Sequence, residues 1–129
     1  MPVIGNHMSR DLLSVAPGDA LAEAARRMVG RGVGAVLVME GTRLAGILTE
    51  RDVLKAVADG TVAEARVADR MTQHPDTIEA GDATEQAAAL MIHGGFRHLP
   101  VLEGGEVVGI VSIRDLMRVV LEDSAPRGA

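Results

Sequence analysis

Two periods of apolar residues run along the chain, and each occurs twice. Leu21, Ala24, Ala25, Met28 and Val29 recur at helical spacing, as do Ala83, Ala87, Leu90 and Met91. Each series stops just before a glycine, Gly32 or Gly95, that suits a helix end, and each follows an aspartate, Asp19 or Asp82, expected to cap it. Short apolar runs come next: Ala35 to Met39 and Leu44 to Leu48, then Leu99 to Leu102 and Val107 to Val111. Glu40-Gly41-Thr42-Arg43 and Glu103-Gly104-Gly105-Glu106 separate the runs and predict a hairpin in each half. A closing helix follows each hairpin, with Val53, Leu54 and Val57 in one half and Leu116, Val119 and Val120 in the other.

The halves are copies. At an offset of 63, Met8 to Val57 match Met71 to Val120 without a gap, and about a third of the pairs are identical. Each copy therefore reads as strand, helix, hairpin, helix in a mixed α/β (α+β) fold. About 50 residues are few for an independent core, so the two repeats are expected to pack through their sheets with pseudo-two-fold symmetry into one module. The expected boundaries are 6–58 for repeat 1, 59–69 for a linker, 70–121 for repeat 2, and 122–129 for a disordered tail rich in Ser, Pro and Gly.

Each hairpin runs into its closing helix through the same four-residue spacing: Thr49-Glu50-Arg51-Asp52 and Ser112-Ile113-Arg114-Asp115. One reading is helix capping, in which the hydroxyl and the carboxylate satisfy amides that the first turn leaves unpaired. A second reading uses the same geometry. A helix N-terminus favours anions, and a carboxylate in its first turn can accept hydrogen bonds from both hydroxyls of a ribose.

These endings, the Met8-Ser9 and Met71-Thr72 openings, and the Arg97-His98-Leu99-Pro100-Val101 strand together resemble the CBS domain family, over about Asn6 to Leu121. The resemblance implies a two-repeat Bateman module that holds AMP, ADP, ATP or a related adenosyl compound in clefts between the repeats. Carried over by position, the preferred site combines Thr49 and Asp52 with Thr77, Ile78, Phe96, Arg97 and His98. The second site combines Ser112 and Asp115 with Ser14, Val15, Val33, Gly34 and Ala35. Arg97 and His98 offer donors to phosphate, whereas Gly34 and Ala35 offer none from their side chains, and this ranks the Asp52 site first. Arg51 and Arg114 could assist with a polyphosphate, while Lys55 and Arg118 read as solvated helix positions. The resemblance further implies a homodimer, and a signal passed to a protein partner in trans or through self-assembly.

Composition narrows the remaining classes. A net charge of -5 and a single aromatic residue, Phe96, argue against a nucleic-acid partner, which would call for clustered cations and stacking rings. There is no cysteine, and His7, His74, His93 and His98 lack metal-site spacing, so no cofactor is expected beyond magnesium arriving with phosphates. No nucleophile elbow or phosphate loop occurs, and catalysis is not expected. With no long apolar run and no signal peptide, the expected location is the cytoplasm, without membrane contact. The alternative from a different class is a ligand-free dimerisation or scaffold module.

Overall fold

The computed structural model describes residues 2–124. It is a mixed α/β structure with two sheets, and it divides into two compact units. One comprises residues 12–75, the other residues 2–11 and 76–124.

In the first unit the order is β1 (Ser14–Val15), α1 (Leu21–Arg31), β2 (Ala35–Glu40), β3 (Arg43–Thr49), α2 (Glu50–Ala58), α3 (Val67–Arg70) and β4 (Thr72–Gln73). β1 lies parallel to β2, β2 and β3 form the hairpin, and β4 lies antiparallel to β3. The second unit repeats the plan with β5 (Ile78–Glu79), α4 (Thr84–Gly94), β6 (His98–Glu103), β7 (Glu106–Ser112) and α5 (Ile113–Ser124), preceded by a 3-10 turn at Ile4–Asn6. Thus Glu122 to Ser124, expected in the disordered tail, belong to α5, and 125–129 lie outside the described residues.

Each hairpin carries one irregularity at the same place, between Val38 and Met39 and between Val101 and Leu102. The bulge shifts the register by one residue on the side away from the turn. It brings Ala35 opposite Thr49 and His98 opposite Ser112.

α1 and α4 begin one residue later than an aspartate cap would require. Ala20 and Ala83 hold the N-cap positions without a side-chain cap. Asp19 instead accepts a hydrogen bond from the Ala16 amide at 2.9 Å, and Asp82 one from the Glu79 amide at 3.0 Å. These carboxylates tighten the turn that delivers the strand to the helix, which corrects the capping expectation. At the other end Gly32 and Gly95 adopt φ of 65° and 72°, the left-handed conformation that closes a helix.

The units do not follow the order of the repeats. Val67 is fully buried in the core of the first unit with Leu21, Val36 and Leu48, while its equivalent at the same offset, Ile4, is fully buried in the core of the second with Leu99, Val101 and Val111. The supporting bonds are matched too. Val67 N–H donates to Asp19 O at 2.9 Å, and Ile4 N–H donates to Asp82 O at 2.9 Å. Each leading segment then crosses its unit's hairpin at a glycine. A Cβ on Gly46 would meet the Thr72 carbonyl oxygen at 2.5 Å, and one on Gly109 would meet the Ser9 carbonyl oxygen at 2.6 Å. The Met-Thr and Met-Ser openings therefore each complete the unit built mainly by the other repeat.

Candidate functional site

The strand-to-helix turns are capping boxes in both units. At the first, the Thr49 amide and hydroxyl donate to Asp52 Oδ2 at 2.9 and 3.0 Å, and the Asp52 amide donates back to Thr49 Oγ1 at 3.3 Å. At the second, the Ser112 amide donates to Asp115 Oδ2 at 2.8 Å, and the Asp115 amide donates to Ser112 Oγ at 3.1 Å. One carboxylate oxygen in each pair is thus committed to holding the turn. All four side chains are half-buried, so the turns face solvent along one edge.

The second carboxylate oxygen distinguishes the two. Asp115 Oδ1 accepts from Arg118 at 3.2 Å, one helical turn on, so Arg118 is an ion-pair partner as well as a solvated residue. Lys55 occupies the matching position in α2, and among the described residues Asp52 Oδ1 has no hydrogen-bond or ion-pair partner. Asp52 keeps one oxygen able to accept from a ligand without breaking the cap.

The remaining candidates are positioned by the central strands. In the second unit Arg97 precedes β6, and its carbonyl accepts from the Ile113 amide at 2.8 Å. The Arg97 side chain is exposed and has no acceptor among the described residues. His98 is half-buried opposite Ser112. Phe96 is half-buried, packed on the core of its unit with its ring on Gly94, where any Cβ would overlap it. Ile78 is buried in that same core, so it can offer a ligand little beyond its backbone. Thr77 and Ile78 line an open groove of about 330 Å³ with Asp82, Gln86, Leu90 and His93.

In the first unit the equivalent positions carry a different chemistry. Val15 and Ala35 are buried, and Ser14, Val33 and Gly34 are half-buried. The carboxylate of Glu50 lies over Gly34, with Oε1 3.3 Å from where a Cβ would stand, and the Glu50 amide donates to Gly34 O at 2.9 Å. In the other unit an isoleucine, Ile113, takes the place of Glu50 and packs against the core. One strand start is therefore flanked by a guanidinium and an imidazole, the other by a carboxylate.

The structure brings together, within one unit, Arg97 and His98 with Ser112 and Asp115, and within the other, Gly34 and Ala35 with Thr49 and Asp52. The two sets expected from the sequence each draw on both units. Two contributors differ from the sequence reading: Arg118, read only as a solvated helix position, pairs with Asp115, and Glu50 lies over Gly34. Arg118 was signalled by its i,i+3 spacing from Asp115. Glu50 was not, because its approach to Gly34 depends on the hairpin bulge.

A model of the family described as CBS domain matches the chain twice, at residues 4–59 and 66–122. An uncharacterized 17.7 kDa protein of Acidianus ambivalens is 36% identical over 110 residues, 84% of this chain and 66% of its own length. A solved protein with CBS domains from Burkholderia ambifaria superposes with a TM-score of 0.85 at 37% identity, covering 93% of this chain and 90% of that one. A CBS domain protein of Pyrobaculum aerophilum, solved complexed with AMP, superposes with a TM-score of 0.85 at 27% identity, covering 95% and 99%.

Proposed function

Because the chain belongs to the CBS domain family, we propose that it is a regulatory module that binds an adenosine-type nucleotide, AMP, ADP or ATP, and acts through that binding rather than through catalysis. The observation that carries this reading is the duplicated capping box with one oxygen of Asp52 left open. A ribose diol needs an acceptor fixed in place, and a carboxylate held by two donors from Thr49 is fixed before the ligand arrives. Arg97 and His98 would supply the phosphate donors, and Thr77, Ile78 and Phe96 the surroundings of the base. The AMP complex of the Pyrobaculum aerophilum protein supports an adenine nucleotide as the first ligand to try.

The second site would use Ser112 and Asp115 with Ser14, Val15, Val33, Gly34 and Ala35. It would bind a nucleotide more weakly, since Arg118 occupies the Asp115 oxygen a ribose would need and the Glu50 carboxylate over Gly34 would repel phosphate. Two observations favour a different pairing: the Ile113 amide donates to the Arg97 carbonyl and His98 stands in register with Ser112, so residues 97 and 98 start their strand beside the Ser112 turn of their own unit. On that reading Asp115, not Asp52, shares a ligand with Arg97. Magnesium would enter only with a polyphosphate, and no resident cofactor is required.

As a soluble cytoplasmic sensor the module would report to a protein partner or through its own assembly. Regulation requires the nucleotide to bind one arrangement better than another. A thermal-shift panel with AMP, ADP, ATP and S-adenosylmethionine tests the proposal. A saturable rise in melting temperature with an adenine nucleotide is expected. No rise with any compound at millimolar concentration leaves the scaffold reading in its place.

A further inference from the structure

The two strand starts share one backbone frame and carry inverted charge. In the second unit the Ile113 amide donates to the Arg97 carbonyl at 2.8 Å, and in the first the Glu50 amide donates to the Gly34 carbonyl at 2.9 Å. The side chains in this frame differ. An exposed guanidinium beside an isoleucine that packs on the core in one unit is matched by a bare glycine beside an exposed carboxylate in the other. Arg51 and Arg114 stand at equivalent helix positions, so they do not distinguish the two starts.

Glu50 is held where it meets whatever reaches its strand start. It is the first residue of α2, and the capping box between Thr49 and Asp52 fixes the backbone on either side of it. Its carboxyl carbon and both oxygens lie 3.3 to 3.6 Å from the point where a Gly34 Cβ would stand, so the group spreads over the glycine. Among the described residues neither oxygen has a hydrogen-bond or ion-pair partner. A carboxylate only accepts hydrogen bonds, and so does a phosphate oxygen, whereas a hydroxyl or an ammonium can donate to it.

We propose that Glu50 sets the charge selectivity of the site at Gly34 and Ala35, which takes an adenosine compound with an uncharged or cationic 5′ substituent and rejects a 5′ phosphate. The proposal rests on the adenosine-binding reading, and it holds for either pairing of the aspartates because Glu50 and Gly34 belong to one unit. The two strand starts then select opposite 5′ chemistry. Arg97 and His98 favour a nucleotide, and Glu50 favours a nucleoside that has lost its phosphate or exchanged it for a cation. The selection weakens with salt, because exposed charges are screened over roughly 8 Å at 0.15 M ionic strength.

Three probes of nearly one shape and graded charge test this: 5′-amino-5′-deoxyadenosine, adenosine and AMP, titrated calorimetrically into the full chain at low salt. Arg97→Ala removes the guanidinium of the other start, and in that background adenosine is expected to bind about tenfold tighter than AMP. Adding Glu50→Gln, which keeps the size of the side chain, is expected to raise AMP affinity about tenfold, lower that of the amino compound, and leave adenosine within about twofold. An AMP affinity that Glu50→Gln leaves unmoved, or equal gains for AMP and adenosine, overturns the role of Glu50 and leaves the nucleotide reading standing. An Arg97→Ala chain that binds none of the three while the parent binds AMP does the same. A parent chain that binds neither adenosine nor AMP overturns both.

Discussion

The turns at Thr49 and Ser112 share sequence spacing, backbone capping and burial, yet their carboxylates have different amounts left to offer. Asp115 divides its oxygens between a cap and Arg118, whereas Asp52 spends one oxygen on the cap and keeps the other. Their surroundings diverge in the same way, with Arg97 and His98 at one strand start and Glu50 over Gly34 at the other. The lesson is that duplication preserves what the fold needs, and the sites differ in atoms the fold does not need. A cap takes one carboxylate oxygen, so selection on folding leaves the second oxygen and its neighbours free to change.

The comparison can be broken first where the two halves ought to be equal. Gly46→Ala and Gly109→Ala should each destabilise the chain by about 1–3 kcal/mol, because each added methyl meets a carbonyl of the crossing segment. Urea unfolding measures both, and a neutral result at one position would show that its leading segment is not held against that hairpin. Next in size is ligand response. Nucleotide at about 100 times its Kd should stabilise the parent by about 2.7 kcal/mol, and Asp52→Ala should remove most of that while Asp115→Ala removes less. The readout is the ligand-induced rise in melting temperature within each variant, which separates binding from the cap. Loss confined to Asp115→Ala would favour the pairing of Arg97 with Asp115.

A smaller effect is expected from the caps alone. Thr49→Ala and Ser112→Ala should each cost about 1 kcal/mol without ligand, since both lose the hydroxyl that accepts from the third helical amide. Unequal costs measured by thermal unfolding would show that one turn has a support the other lacks. The smallest change sharpens the comparison most. Arg118→Gln should alter stability by under about 1 kcal/mol, as for other exposed pairs. It should strengthen the nucleotide response in an Asp52→Ala background by releasing Asp115 Oδ1, and an unchanged titration there would mean that Arg118 does not limit the second site.

Much of this architecture could be read from residue patterns. The helical series ending at Gly32 and Gly95, the hairpins around Gly41 and Gly104, and the spacing of Thr49 and Asp52 are local signals, written within one or two turns of chain. The aspartates at 19 and 82 were misread because a carboxylate two residues before a helix can bond backward into the turn as readily as forward into the helix. The bulges between Val38 and Met39 and between Val101 and Leu102 have no residue signature, and they decide which side chain opposes Thr49 or Ser112.

By itself, then, the sequence determined the two repeats, their element order, and the Thr49-to-Asp52 and Ser112-to-Asp115 spacing that caps the closing helices, since these depend on spacing along the chain. Tertiary structure decided the rest. It set which unit each Met-Thr or Met-Ser segment completes, which glycine lies under a crossing carbonyl, and which aspartate retains an open oxygen. Those outcomes depend on contacts between residues far apart in the chain, formed where a glycine allows close approach or a bulge shifts register by one.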